Sequence, residues 1–399
     1  MAKIMVVAGG DWQIELIKKA KSMGHYVICS NLYEDSPAFK YSDACEVANV
    51  LDKEKNLEIA KKYNPDAVIS DQSDIAVPTV AYLNDKLGLR GIGIELADLF
   101  TDKSKQRQFC KERGILIPDF KLCHTPEEAI PMLKQYGKII IKPIDSQSSR
   151  GVYTIESEEQ LRLKYKDSIG WSNRDKAFLA EQYIDGDEFT IDGLVVNGIH
   201  YPLCISVKEM YPNNPNISRT QSYSYLSEKH DYDLLRKTNK YLIETAGLPM
   251  GLTHSEYKAH DGKYYLVEAG ARGGGSNLSA KIVPFMSGVD NYEYLIKEAL
   301  GEEVDDSFLK DKNYSRDKYV IMRFFDFGEG TVKEVCGLDY LKKSEMLIDY
   351  QMEVKHGDVL KQPEYGRLRP GHFIIGGDDR KRVIMESKQI LQNVKVLFE

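Results

Sequence analysis

Two glutamates sit in a stretch of alternating sequence that could hold a metal ion. Thr253-His254-Ser255-Glu256-Tyr257-Lys258 and Lys263-Tyr264-Tyr265-Leu266-Val267-Glu268 are joined by Ala259-His260-Asp261-Gly262. If His260-Asp261-Gly262 is a three-residue loop with Gly262 left-handed, Ala259 faces Lys263, Glu256 faces Leu266 and His254 faces Glu268. Glu256 and Glu268 then share one face as diagonal neighbours, about 7–8 Å apart at Cα and able to converge on one cation. Two carboxylates this close repel unless something positive lies between them. Hard oxygen donors suit Mg²⁺, whose other ligands are commonly water and phosphate oxygens. A two-residue turn at Asp261-Gly262 would put the acids on opposite faces instead. Directly after Glu268, the run Ala269-Gly270-Ala271-Arg272-Gly273-Gly274-Gly275-Ser276-Asn277 bares the backbone. It leaves one guanidinium free for bidentate contact with phosphate or carboxylate. A solvated turn is the plain alternative, less apt behind a pair of acids.

Further upstream, Lys138-Ile139-Ile140-Ile141-Lys142-Pro143 reads as a strand with a cation at its exit. It leads into Asp145-Ser146-Gln147-Ser148-Ser149-Arg150-Gly151. A loop of small residues between strands exposes successive amides and hydroxyls that can fold over phosphate oxygens. On these residues alone, an exposed hairpin loop with a surface lysine is the commoner reading. Glu181 and Glu188 flank Asp185-Gly186. The extended stretch 181–184 could offer backbone groups to an adenine edge and Glu188 could accept from ribose hydroxyls; an ordinary hairpin with exposed acids accounts for them equally well.

The composition restricts what these residues could serve. A length of 399 residues exceeds one ordinary core. With 42% hydrophobic and 29% charged residues the chain reads as globular and multidomain. A net charge of -7 argues against a nucleic-acid partner. The apolar run 3–8 is too short for a signal h-region or a membrane span, so a cytoplasmic location without membrane attachment is expected. Six scattered cysteines and eight histidines without ligand spacing support neither a disulfide framework nor zinc.

The elements that must position the chemistry fall into three stretches. Residues 3–8, 26–29 and 67–70 predict strands, and 14–23, 57–62 and 75–87 predict helices, so the first stretch is a small parallel sheet covered by helices. Gly9-Gly10 reads as a plain strand-to-helix turn, because a dinucleotide fingerprint is incomplete there. A charged helix starts at Thr101, which could cap it. Strands at 138–142, 152–155, 177–184 and 188–196 predict an antiparallel α+β region. Residues 208–227, polar and without a period, read as an active-site loop or a disordered segment. Strands at 318–325 and 372–377 and a helix at 380–393 close the chain.

In this order the motifs resemble the ATP-grasp superfamily over nearly the whole chain. They are Asp102-Lys103 opening a helix that runs to Gly114-Ile115-Leu116-Ile117-Pro118, then Ile141-Lys142-Pro143, the serine-rich loop, Glu181 to Glu188, and Glu256/Glu268/Arg272. Each is common, but the ordered set is specific. The resemblance implies an ATP-grasp fold of α/β and α+β domains: a Rossmann-like pre-ATP-grasp domain (1–95), an ATP-grasp domain (96–304, with a lid over about 125–185) and a small C-terminal α+β domain (305–399). It implies that Lys103 and Lys142 hold ATP phosphates and that Ser148, Ser149, Arg150 and Gly151 cover them. Glu181 and Ile184 would line the adenine site and Glu188 would bind ribose. Glu256 and Glu268 would carry Mg²⁺, with Mn²⁺ as a substitute, Arg272 would steady an acyl phosphate and Lys208 would contact the γ-phosphate. Gly270 departs from the common pattern, in which an asparagine supplies a further metal ligand.

Thr253-His254-Ser255-Glu256 with Glu268-Ala269-Gly270-Ala271-Arg272 looks most like the L-amino-acid ligase and related carboxylate-amine ligases. The implied activity is ATP-dependent: a carboxylate is activated as acyl phosphate and passed to an amine, by a chain expected to be a homodimer acting on small molecules. A carboxylating or purine-pathway enzyme using bicarbonate or a ribonucleotide amine, and a non-catalytic nucleotide-binding protein, are the other readings.

Overall fold

The computed structural model describes residues 1–310 and 317–399. Its first sheet is parallel, ordered β3-β2-β1-β4, from β1 (Lys3–Val7), β2 (Tyr26–Asn31), β3 (Ala44–Val47) and β4 (Ala67–Ile69). Helices Ile14–Ser22, Lys53–Tyr63 and Val77–Leu87 cover it. The third ends on Gly88, whose φ of +65° terminates the helix as expected. Ala44–Val47, short and half polar, had no recognisable strand pattern.

A second sheet, antiparallel, joins β5 (Phe120–Cys123), β6 (Ile139–Pro143), β7 (Tyr153–Ile155) and β8 (Phe178–Gln182) in the order β5-β8-β6-β7. Helices Pro126–Tyr136 and Glu158–Gly170 complete this unit over a core that includes Leu133, Ile139, Ile141 and Leu161.

The third sheet is the largest. It holds β9 (Glu188–Val196), β10 (Ile199–Tyr211), β11 (Asn214–Ser224), β12 (Gly251–His260) and β13 (Lys263–Gly270). Beyond residue 317 come β14 (Tyr319–Phe324), β15 (Gly330–Cys336), β16 (Leu347–Met352), β17 (Val359–Leu360), β18 (Gly371–Gly377) and β19 (Lys395–Phe398). Strands β14, β18 and β16 extend the sheet to eight, ordered β13-β12-β9-β10-β11-β14-β18-β16, while β15, β17 and β19 form a separate small sheet. The helix Arg380–Asn393 packs on β14 and β18. One apolar core joins the parallel sheet to the large one through residues such as Ile4, Leu16, Leu194, Met250 and Ile296.

Three sequence expectations need correction. Residues 208–227 are not a loop: most of them are the end of β10 and all of β11, which pair from Ile205–Ser224 to Tyr211–Asn214. Their lack of an apolar period follows from their position, because one face lines a polar cavity. Stretches 178–182 and 188–196 are not one hairpin either; β8 and β9 belong to different sheets, and the chain crosses between them at Asp185-Gly186. Gly186, at φ +137°, lies so close to Ala259 that a Cβ would sit 1.9 Å from its carbonyl oxygen. Finally, the helix Lys103–Glu112 is capped by the Asp102 carboxylate, which accepts from the amides of Ser104 and Lys105, while the Thr101 hydroxyl donates back to Ala97 O.

Candidate active site

The hairpin β12–β13 closes with the two-residue turn rather than the three-residue loop. Asp261 and Gly262 take φ of +49° and +71°, and His260 pairs with Lys263, the geometry that Asp-Gly favours. Continued regularly, this register would place Glu256 and Glu268 on opposite faces. It does not continue: the ladder shifts between Tyr257↔Leu266 and Glu256↔Glu268, leaving Val267 as an extra residue. The bulge returns the acids to one face, as direct partners rather than diagonal ones. The carbonyl of Val267, released from the ladder, accepts from Arg107 Nη2 at 2.6 Å and Lys142 Nζ at 3.4 Å.

Each glutamate is matched by a lysine. Lys208 Nζ lies 2.7 Å from Glu256 Oε1 and 2.8 Å from Glu188 Oε1. Lys103 Nζ lies 2.8 Å from Glu268 Oε1 and donates to Ser146 O at 2.6 Å. Burial alone would raise the Glu256 carboxyl, but Lys208 and His254 outweigh it and hold it far below the usual range. The same two acids, against the opposing effect of burial, raise Lys208 above the ordinary lysine range. His254 links this group to Asp192, 2.8 Å from its Nδ1. Although burial opposes its charge, Asp192 and Glu256 raise its pKa to about 9.

Behind the hairpin is a fully buried set of charges. Arg107 Nε lies 2.8 Å from Glu181 Oε1 and Lys142 Nζ 2.7 Å from Glu181 Oε2. Lys142 is therefore no surface lysine; burial lowers its pKa, opposed by Glu181. Burial would raise the Glu181 carboxyl, and Arg107 and Lys142 together bring it below its ordinary value. Its carboxylate is engaged there, while Gln182, Tyr183 and Ile184 border the cavity. One turn along the helix face from Lys103, Gln106 bonds both the amide and carbonyl of Ala269, at 3.0 and 2.7 Å, closing the free edge of β13.

The lysines and glutamates of both groups, with His254, open into a cavity of about 260 Å³. Its floor is a row of directly paired residues across five strands, Lys258–Glu188–Lys208–Gln221–Met322. The serine-rich loop borders it: Ser148 and Ser149 take left-handed φ of +61° and +59°, and Gly151 follows at +71°. Ser148 O accepts from Gly366 N at 3.1 Å, tying this loop to the segment before β18. Arg272 is clamped by Asp74, with Nε–Oδ1 and Nη2–Oδ2 both at 2.8 Å. Beside it Gly273 N donates to the buried carboxylate of Asp71 at 2.7 Å. Burial raises the Asp71 carboxyl even though Ser279, Tyr292 and this amide favour its charged form.

Comparison with known proteins places this geometry. Residues 136–280 match the profile of the ATP-grasp domain, and residues 323–399 that of the L-amino acid ligase C-terminal domain 2. Residues 136–280 thus form an ATP-grasp domain. Relatives of the chain include the alanine–anticapsin ligase of Bacillus subtilis, 26% identical over 279 residues, covering 63% of this chain and 58% of that protein. The formate-dependent phosphoribosylglycinamide formyltransferase of Nostoc sp. is 26% identical over 187 residues, covering 46% of this chain and 48% of the other. The chain thus spans about half the length of the curated relatives it matches first. An L-amino acid ligase structure from Bacillus licheniformis superposes with a TM-score of 0.84 at 20% identity, covering 100% of this chain and 99% of that one. Phosphoribosylglycinamide synthetase from Anaerococcus prevotii gives 0.75 at 18%, covering 100% of both. Both likenesses speak for the fold.

The matched ATP-grasp region holds every residue singled out from the sequence except Lys103, which reaches the cavity from the helix Lys103–Glu112. Lys103, Lys142, Ser148, Ser149, Glu181, Ile184, Glu188, Lys208, Glu256, Glu268 and Arg272 line the cavity. Gly151 lies just behind, against Pro143 and Trp171. Arg150 turns aside, donating to Gln147 O and lying against Trp171. The donor set suits Mg²⁺. Glu256 and Glu268 use only Oε1 for their ion pairs, so each keeps Oε2 without a hydrogen bond to a described residue. Among the described residues no third acid, histidine or cysteine completes a metal cluster, so the remaining ligands would be phosphate oxygens and water. No helix among the described residues is long and apolar enough to cross a membrane.

Arg107, Asp71, Asp74 and Asp192 were not recognised from the sequence. Arg107 carried a signal, since its spacing of four from Lys103 puts both on one helix face. The three aspartates carried none, because their partners lie 62 to 221 residues away.

Proposed function

We propose that this chain is a Mg²⁺- and ATP-dependent carboxylate-amine ligase, which converts a carboxylate to an acyl phosphate and transfers the acyl group to the amine of a small molecule, releasing ADP and phosphate. The observation that carries this reading is the pair Glu256 and Glu268, directly opposed by a bulge, each neutralised by a lysine, in the lining of a cavity that also holds Arg272.

In this reading Glu256 and Glu268 would hold Mg²⁺, which would supply charge neutralisation for the nucleotide phosphates. Lys103 and Lys142 hold phosphate oxygens, and the loop 148–151 covers them with its left-handed backbone. The main chain at 182–184 takes the adenine edge, with Glu188 on the ribose. Moving a phosphoryl group onto a carboxylate brings anions together, so Lys208 and Arg272 act where charge accumulates. Contacts of this kind are worth about 3–4 kcal/mol each in the barrier. The tie between Ser148 and Gly366 closes the cover, and exclusion of water protects an acyl phosphate from hydrolysis. The amine then attacks the acyl carbon, and phosphate leaves.

The alanine–anticapsin ligase and the L-amino acid ligase C-terminal profile favour an amino acid as substrate. The formyltransferase relatives favour a second reading, in which formate and a ribonucleotide amine react by the same chemistry. ADP release measured against a panel of amino acids, formate and bicarbonate separates them. Glu268→Gln is expected to abolish ADP release while leaving the circular dichroism spectrum unchanged; normal turnover in that variant would overturn the site.

A further inference from the structure

At the far end of the cavity floor lies a cation that no step above uses. Arg369, in the segment between Gly366 and β18, borders the cavity and stacks on Phe324, its guanidinium carbon 3.3 Å from the ring centroid. Its Nε donates to Gly366 O at 2.7 Å and its Nη1 to Ser218 O at 3.1 Å. Nη2 makes no hydrogen bond to a described residue, and no described carboxylate lies within ion-pair distance. Every other arginine or lysine bordering this cavity, apart from Arg369, has a carboxylate partner. A largely buried cation without a counter-ion is costly, and a fixed one with an open donor edge facing a substrate cavity is a receptor for an anion.

We propose that Arg369 binds the free carboxylate of the amine substrate, which makes that substrate an amino acid rather than a simple amine. The assignment rests on the ligase reading above. The position fits. Lys208 pairs with Gln221 and Gln221 with Met322, and Phe324 follows two residues along the same face of β14. With strands about 4.8 Å apart and about 6.8 Å per two residues, the floor at Phe324 is roughly 12 Å from that at Lys208. After subtraction of the side chains projecting from each end, this accommodates two joined amino acids, whose extended span is about 7 Å. A single open guanidinium, offset in part by the nearby Glu353 and Tyr211, matches a monoanionic carboxylate better than a phosphate dianion. Met322 and Ile217 supply apolar wall beside it.

The test holds the activated acid constant and varies the amine. Hydroxylamine first stands in as a generic amine. Hydroxamate formation by the wild type establishes acyl-phosphate chemistry, and its absence with every acid in the panel would overturn the ligase reading and this assignment with it. Next, kcat/KM is compared for an amino acid and for its primary amide, which lacks the carboxylate. The wild type is expected to prefer the amino acid by about 10- to 100-fold, the range of one charge-assisted contact. In Arg369→Ala this preference should collapse toward unity through KM, with partial retention in Arg369→Lys. Equal use of acid and amide by the wild type, or an unchanged preference in Arg369→Ala, would overturn the assignment. A phosphorylated amine preferred over every amino acid, and lost in Arg369→Ala, would also overturn it by assigning the arginine to phosphate.

Discussion

Asp74→Asn isolates the clamp on Arg272. The substitution keeps the shape of the side chain but removes its charge and one of its two acceptors, so the guanidinium loses its counter-ion and one of two bonds at 2.8 Å. At that separation and an effective dielectric of about 20, the attraction is roughly 332/(20 × 2.8), or about 6 kcal/mol, before desolvation is counted. Each side chain is only 15% exposed, so screening is limited. Removing one partner of such a pair costs about 3–5 kcal/mol, because the other is left buried and uncompensated. Urea unfolding of Asp74→Asn, Arg272→Met and the double variant should therefore give two large single losses whose sum exceeds the double by at least about 2 kcal/mol. A guanidinium freed to move by an ångström should also slow ADP release by about 10- to 100-fold in Asp74→Asn. Additivity within about 0.5 kcal/mol, together with wild-type turnover, would refute the idea that Asp74 sets the direction of Arg272.

Two further outcomes follow from the charges. Lys208→Met strips the common cation from Glu188 and Glu256; it should raise the Glu256 carboxyl, lower stability by about 3–5 kcal/mol in urea unfolding and abolish ADP release. His200 and His372 are buried and neutral, their pKa values lowered by burial to about 3 and about 4. A histidine with a depressed folded value contributes stability that is complete above its unfolded pKa near 6.5 and is lost as pH falls toward the folded value. Between pH 6.5 and 5 each should cost about 2 kcal/mol. That slope, followed by thermal unfolding, should lessen in His200→Gln and in His372→Gln.

Local patterns in the sequence were read correctly where one residue type decides the conformation. Gly88 ended its helix, the 380–393 helix ran its full expected length, and the 3.6-residue and two-residue periods separated the parallel sheet from the antiparallel ones. Long-range relations were hidden. The bulge at Val267 rescued a pairing for which the assumed turn was wrong, and nothing in Leu266-Val267-Glu268 announces an unpaired residue. Strand β11 escaped because its face toward the cavity is polar, which erases the alternation by which strands are recognised. The site acids and lysines were visible as types in order. Which of them meet was not, because Lys103 and Glu268, or Arg272 and Asp74, are brought together only by packing.

The join between Gln221 and Met322 gives the five-strand row a further meaning. On one side of it the floor residues Lys258, Glu188, Lys208 and Gln221 are charged or polar; on the other, Met322 and Phe324 are apolar and come from a segment a hundred residues later. A sheet carries spacing faithfully along its hydrogen bonds, yet each strand chooses its side chains independently. Substitutions in β14 and the turn ahead of β18 could therefore re-tailor the shape and reach of this end of the cavity, while the charged half stays untouched and in register.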